Sequence, residues 1–518
     1  MRHTEIRTAD DLLAFAKAVN TDSDEQFKVG ILMNDIVMPA GKTWTPIGKN
    51  ETAKHFRGIF DGQGYTISGL VVEINSEDQG AGLFGTIHSN AIIRNVILDN
   101  TCKITNNGVG GAAGIVGRLN TNWYWSEALI ENCASYASVY AKKHAGGILG
   151  RVFTGENNGP SVRVYVENCY NMGTITAGDG DSGLLCGYTK DHGYVSNCWS
   201  GGKLKMSDPN YQYWPFSTVN DNNDRKIECL VGYNTKHHVE NCYVVDPDVN
   251  VDHYDYRTDY ALSLQDGVTV IEAAKLATGE LTYLLNGSTN DVTKSLGWQQ
   301  ELGTDAYPVP GDMGVYHTRS ISNTIGTACL PYALKSDDAI RYYTFSESSQ
   351  ANGKIKLNFD FAETVAPGTP VLFVAESTAE PLTFSGVGEG WAASPVASYP
   401  TPTWDFTGTY EEKTFSGEAA KTIYYVSGGK IKHGTKATIA PYRAYFEGPS
   451  IDELTSTGSG ARVRIVIDGE ENETSALELV YDYENHNDNR SYTLFGTEAG
   501  EGYRGIVIRG GKKVIVNN

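Results

Sequence analysis

The familiar linear signatures of catalysis are missing from this sequence of 518 residues. It has no Gly-x-Ser-x-Gly elbow and no His-Glu-x-x-His helix, which removes two common marks of hydrolases and zinc peptidases. It has no Cys-x-x-Cys pair, so a zinc ribbon or a thioredoxin-type redox centre is excluded. No apolar run reaches the roughly 18 residues that a membrane-spanning helix needs. Basic residues are the minority: 42 Lys and Arg stand against 62 Asp and Glu, a net charge of −20. Phosphate backbones and anionic lipid surfaces both require the opposite sign, so neither nucleic acid nor an acidic membrane is an expected partner. The opening residues, Met1 to Glu5, carry no apolar signal core. The expected form is either cytosolic or one from which a leader has been removed.

What the chain does have is glycine, at 57 residues, and tyrosine, at 31. Short alternating runs of Gly, Tyr, Thr and Val predict a mostly β protein. The length is too great for one compact core, so several domains are expected.

Two phrases recur through the first half. The first is Gly-apolar-apolar-Gly, at Gly82-Leu83-Phe84-Gly85, Gly114-Ile115-Val116-Gly117 and Gly147-Ile148-Leu149-Gly150, with degraded copies ending at Gly187 and Gly232. The second is apolar-x-Asn-Cys, at Ile130 to Cys133, Val166 to Cys169, Val195 to Cys198 and Val239 to Cys242, with Ile93-Arg94-Asn95-Val96 as a first copy. Phrases recurring at a roughly constant interval mark a solenoid. The apolar pairs between glycines are expected to fill its bore. The glycines are expected where a side chain would clash, and the asparagines at a left-handed corner where their amides satisfy turn N–H groups.

Successive cysteines of the second phrase are 36, 29 and 44 residues apart. Such lengths suffice for two solenoid coils per repeat. That places equivalent cysteines roughly 9–10 Å apart, beyond the reach of a disulfide. Inward-facing, reduced thiols are therefore predicted. A single coil per repeat would bring them close enough to bridge.

Residues 8–20 are predicted to form an amphipathic helix capped by Thr8 and Asp11, burying Leu12, Phe15, Ala16 and Val19 and closing the solenoid end. Asp61-Gly62 and Gln63-Gly64 read as positive-φ turn positions. A helical stretch from Val270 to Leu285, broken at Gly279, ends at Asn286-Gly287. Beyond Thr318, short β runs separated by Pro and Gly suggest a β-sandwich.

The first half resembles the GLUG-repeat family of bacterial surface proteins, through the two phrases and the lead-in from Trp44 to Leu70. Thr278 to Leu281 and Trp298 to Pro308 are similar to the closing segment of such proteins. Cys329-Leu330-Pro331 and Tyr442 to Phe446 are similar to a β-sandwich that accompanies them, and Tyr492 to Val516 to a terminal module of secreted proteins. The resemblance implies an all-β chain: a right-handed parallel β-helix over 1–317, a β-sandwich over 318–468 and a small β module over 469–518. It also implies a secreted or bacterial cell-surface location with the leader peptide removed. It carries over no catalytic residue.

Candidate chemistry comes from inserts. Trp123, Tyr124 and Trp125 lie in one, and Tyr211, Tyr213, Trp214 and Phe216 in another. Aromatic rings in loops can stack against sugars, or pack back as a local core. Asp179, Asp181 and Asp191, with His192, flank the fourth glycine phrase and could do paired-carboxylate work on a glycosidic bond. As plain turn residues they need no such role. Asp221 and Asp224 have the oxygen donors calcium prefers, and calcium is the one cofactor the sequence admits. Gly108-x-Gly110-x-x-Ala113 grazes a dinucleotide fingerprint but lies inside the repeat. His237 and His238 are adjacent on a strand and face opposite ways. The expected function is non-catalytic binding of an extracellular glycan or a host or cell-surface ligand. A glycoside hydrolase or polysaccharide lyase is the alternative, and a structural adhesin the second alternative.

Overall fold

The computed structural model describes residues 3–51, 53–121, 126–154, 162–178, 182–189, 192–206, 217–219, 225–227, 230–233, 238–245, 266–294, 296–351, 354–396, 403–456, 462–468, 480–482, 491–493, 505–509 and 512–516. The chain is all-β, with a β-solenoid of about five turns followed by further sheets. It divides into two compact units, Met1–Gly287 with Ser295–Gln299 and Ala306–Asp312, and the remainder.

The solenoid has four main strand-bearing faces, with a short parallel pairing of Ala112–Ala113 and Ala145–Gly146 between the third and fourth. In one coil the chain runs through Ile92–Arg94, Ile97–Leu98, Lys103–Asn106 and then Val116–Thr121. The next coil repeats this as Ser126–Glu131, Ala134–Ser135, Ser138–Ala141 and Leu149–Thr154. We call these the first to fourth faces. Pairing between coils is parallel and in register, for example Ile130 with Ile93 and Val166.

One repeat is thus one coil, not two. The expectation of two small coils fails because a third face and a long fourth face absorb the residues that two coils would have shared. Cys133, Cys169, Cys198 and Cys242 consequently sit in adjacent coils, buried and free.

The apolar pairs between glycines line the bore: Leu83, Phe84, Ile115, Val116, Ile148 and Leu149 are all fully buried. The glycines permit close approach between coils. A Cβ on Gly150 would lie 2.5 Å from Gly117 O and 2.7 Å from Ala112 N. Gly108 and Gly110 press on the carbonyls of Ser76 and Gln79 in the preceding coil, which explains them without a nucleotide.

At the corner between first and second faces, Asn95, Asn132, Asn168, Asn197 and Asn241 all take positive φ, from 49° to 56°. Asparagine tolerates this region because its short amide finds local partners. In two pairs the partner is the asparagine of the neighbouring coil rather than a turn amide, while Asn95 Nδ2 donates to Asp61 Oδ1 at 2.9 Å. Asn132 Nδ2 donates to Asn95 Oδ1 at 3.2 Å, and Asn241 Nδ2 to Asn197 Oδ1 at 2.9 Å.

The helix α1, Ala9–Thr21, carries the expected capping box between Thr8 and Asp11 and buries Leu12, Phe15, Ala16 and Val19. Phe15 packs against Phe56 and Phe60 at the end of the bore. In the following turn, positive φ falls on Gln63 and Gly64, not on Gly62. Gly62 is instead needed where its backbone meets that of Asn95 and Val96. Val268–Ile271 is a strand on the second face rather than the start of a helix. The helical part begins at Ala273, breaks at Gly279 (φ 87°) and resumes as α2, Glu280–Leu285. With Trp298 and Tyr307, α2 covers Tyr170 and Trp199 on the outside of the second face. The rings of Tyr170 and Trp199 stack at 5.1 Å.

In the second unit, one five-stranded sheet holds Ile340–Ala351 and Lys354–Ala362, and another holds Ile423–Ser427 and Arg443–Glu447. Phe345, Leu357 and Phe359 of the former share an apolar core with Phe406, Tyr424 and Phe446 of the latter. Ser491–Thr493, Gly505–Arg509 and Lys512–Val516 form a three-stranded antiparallel sheet.

Candidate functional site

Trp123, Tyr124, Trp125, Asp179, Asp181, Asp191, Tyr211, Tyr213, Trp214, Phe216, Asp221, Asp224 and His237 lie outside the described residues. The strands that flank several of them are described. Thr121 pairs with Thr154 where the inserts 122–125 and 155–161 begin, and Ser126 pairs with Val162 where they end. One coil further, Arg151 pairs with Tyr188 and Val164 with Gly193, bracketing Asp191. These inserts therefore join the same pair of faces, the fourth and the first. Asp179 and Asp181 fall instead between Thr174–Ala177 of the third face and Cys186–Tyr188 of the fourth.

The first face, which receives the inserts, presents two columns outward. Side chains alternate along each strand, so in-register outward residues stack from coil to coil. One column is Tyr165, Tyr194 and His238. Tyr165 and Tyr194 have ring centroids 5.4 Å apart, and Tyr194 and His238 stack at 4.2 Å and 12°. The other is Asp61, Arg94, Glu131, Glu167, Ser196 and Glu240.

The column is a polar strip of two hydroxyls and an imidazole, and the Tyr165 hydroxyl accepts from Arg163 Nη1 at 3.4 Å and donates to Glu127 Oε1 at 3.5 Å. Arg163 lies over the Tyr194 ring at 5.5 Å and reaches Glu127 at 3.8 Å.

In the acidic column, Arg94 binds Asp61 at 2.9 Å and approaches Glu131 at 3.9 Å. Glu167 stands next to Glu131. Partial burial raises its pKa, and the Glu131 charge raises it further. A polar strip beside a carboxylate pair can accept and donate to sugar hydroxyls. Two carboxylates one strand spacing apart, about 4.8 Å, also approach the separation used by retaining glycosidases, roughly 5–5.5 Å. Among the described residues, no group of three His, Cys, Asp or Glu gathers to hold a metal ion.

The strip contains no linear motif, but its signal is present in the sequence. Tyr165, Tyr194 and His238 each lie three residues before a corner asparagine, and Glu131, Glu167 and Glu240 one residue before. Aligning the repeats on that asparagine brings out both columns.

No family model matches the chain. A stretch of 112 residues is 34% identical to halomucin of Haloquadratum walsbyi, and takes in 22% of this chain. The chain spans 1% of that protein's length. Among solved structures, a candidate immunoglobulin A1 protease from Bacteroides ovatus overlaps 60% of this chain and 92% of its own, at a TM-score of 0.38 and 20% identity. An overlap of that quality assigns no reaction to the chain. Among the described residues no helix is long and apolar enough to cross a membrane.

Proposed function

We propose that the chain is an extracellular or cell-surface bacterial protein whose solenoid binds a glycan, or another extracellular ligand, without cleaving it. The observation that carries this reading is the in-register edge at which Thr121 pairs with Thr154 and Ser126 with Val162, on either side of the inserts 122–125 and 155–161. Coil stacking juxtaposes their attachment points, and the adjoining strip of Tyr165, Tyr194 and His238 offers hydrogen bonds alongside. The inserts' Trp123, Tyr124 and Trp125 would supply ring faces, and Tyr211, Tyr213 and Trp214 a second aromatic set. The GLUG resemblance supports a surface setting with a removed leader, and the short likeness to halomucin, a mucin by name, agrees with it. Three domains, 1–317, 318–468 and 469–518, are the working division, with the sandwich as spacer or second binding module. Calcium at Asp221 and Asp224 would be structural.

A glycan array tests this reading. Binding that weakens in Trp125→Ala, Trp214→Ala and Tyr194→Ala, with the melting temperature retained, supports it. Unchanged affinity in all three removes the proposed surface.

The neighbouring pair Glu131 and Glu167 favours a second reading, glycosidic cleavage. Glu167, the carboxyl with the raised pKa, would be the acid, and Glu131 beside Arg94 the nucleophile. New reducing ends or unsaturated products from a bound polysaccharide, lost in Glu167→Gln, would establish cleavage in place of binding alone.

A further inference from the structure

A groove of ≈ 330 Å³ opens at the N-terminal end of the fourth face, bordered by Lys49, Asn50, Glu51, Asp78 and Gln79, with Pro46 and Ile74 supplying apolar surface. Gln79 ties the two borders together: its Nε2 donates to Gly48 O at 3.0 Å, and its Oε1 accepts from Asn50 N at 2.7 Å.

Two arginines lie behind it. Arg118 Nη1 donates to Asp78 O at 2.6 Å, and Arg151 Nη1 to Val109 O at 3.0 Å. Both stack on Phe153, with guanidinium carbons 4.3 and 5.1 Å from its centroid. The two carbonyls are equivalent corners of successive coils, so each arginine stitches its coil to the preceding one.

A stitch of one hydrogen bond to a carbonyl does not require a guanidinium; a neutral amide would serve. The surplus is conspicuous. Arg118 is 2% exposed, yet its Nε and that of Arg151 are buried without a partner. So are Nε2 of His55 and Oδ1 of Asn120, and Asn120 Nδ2 donates to the groove residue Asn50 at 2.5 Å. Asp78 Oδ1 stands 3.9 Å from Arg118 Nη1, on a side chain 81% exposed. A buried cation whose counter-charge is one loose, exposed carboxylate can exchange it for a second anion. On a chain of net charge −20, this end of the fourth face gathers Lys49, Lys54, Arg118 and Arg151 against Glu51 and Asp78, with Glu51 paired to Lys54 at 2.6 Å and to Lys49 at 3.9 Å.

The geometry points to an anion subsite: the groove takes an acidic glycan, its carboxylate or sulfate ester displacing the Asp78 carboxylate from Arg118 while Lys49 closes on it and the sugar ring lies against Pro46 and Ile74. The exchange breaks one loose ion pair and leaves the pairing between coils intact. This inference rests on the glycan reading above and names the ligand class for it.

The experiment is calorimetric titration of the full chain with three oligosaccharides of equal length: a polyuronate, its neutral methyl ester and a sulfated galactan. The acidic ligands are expected to bind, with affinity falling steeply as salt rises and about tenfold weaker for the methyl ester. The stronger of the two acidic arms identifies the anion. Lys49→Gln is expected to weaken binding about fivefold, and Asp78→Asn to tighten it by a similar factor; both are surface changes, whereas Arg118→Gln can fail through folding. Equal binding of ester and acid, or indifference to both variants, overturns the subsite. If neutral glycans bind through Trp125 or Tyr194 alone, the subsite falls and the glycan reading stands. If no glycan of any charge binds, both fall.

Discussion

The backbone N–H of Cys133 donates to Sγ of Cys169 at 3.4 Å, and that of Cys169 donates to Sγ of Cys198 at 3.3 Å. The backbone of each of these two cysteines therefore rests on the thiol of the next coil. Each thiol also donates to the carbonyl two residues before it, at 3.1–3.2 Å. From Cys133 to Cys198 the column is a thread of weak hydrogen bonds inside the bore.

Burial pushes the thiols of Cys133, Cys169 and Cys198 well above their ordinary pKa, which withholds the thiolate that alkylation and disulfide exchange require. Iodoacetamide is expected to leave these three unmodified in native buffer. Denaturation without reductant should then release all of them as free thiols. Intact mass measures both states, and a pair missing after denaturation would show a covalent bridge between coils.

The asparagine corner makes a graded prediction. Asn197 holds φ 52°, and its amide accepts from Asn241 while its carbonyl accepts from Trp298 Nε1 at 3.0 Å. Asn197→Ala should cost about 2 kcal/mol, combining left-handed strain with a lost hydrogen bond. Asn197→Gly keeps the backbone at ease and should cost about 1 kcal/mol. Urea unfolding of the two variants checks the order, and equal costs would refute the strain argument.

Gly150→Ala should be severe. Its new methyl would meet two backbone atoms of the neighbouring coil, and backbone in a paired stack cannot step aside. A loss of roughly 3 kcal/mol or failure to accumulate as soluble protein is expected. At Gly64, with φ 78° and nothing within 4 Å of an added Cβ, only left-handed strain applies, about 1–2 kcal/mol. Comparing the two melting temperatures separates clash from strain.

Acid should unfold the chain through two histidines. Burial, then the Arg57 charge, lowers both His55 and His88 from 6.5 to about 4, and their rings lie 5.2 Å apart. A base whose folded pKa is depressed stabilises the fold above its unfolded pKa and loses that contribution as pH falls toward the folded value. Stability should therefore decline between pH 6.5 and 4. Discounted for partial solvent exposure, each histidine contributes about 1–2 kcal/mol to that decline. His55→Gln and His88→Gln should each flatten the slope in denaturation across this range; parallel slopes would assign acid sensitivity elsewhere.

Legibility in the sequence followed the range of the interaction. The capping box of α1 and the break at Gly279 depend on neighbours a few residues away, and both were readable. The bore was readable too, because Leu83-Phe84 and Ile148-Leu149 recur in one chemical context. The positive-φ asparagine was visible as a corner, but its partner was not, since Asn132 meets Asn95 across 37 residues. The Tyr165–Tyr194–His238 column escaped because no single residue in it is unusual; only the stack makes it a strip.

Repetition of Gly-apolar-apolar-Gly and apolar-x-Asn-Cys was enough to determine a stacked, apolar-cored solenoid, because identical local preferences must find identical neighbours. It could not determine how many coils a repeat spans, which is decided by which strand accepts the next strand's hydrogen bonds. That choice, made only on folding, put the cysteines in contact, lined up the first-face strip and set Arg118 behind the groove.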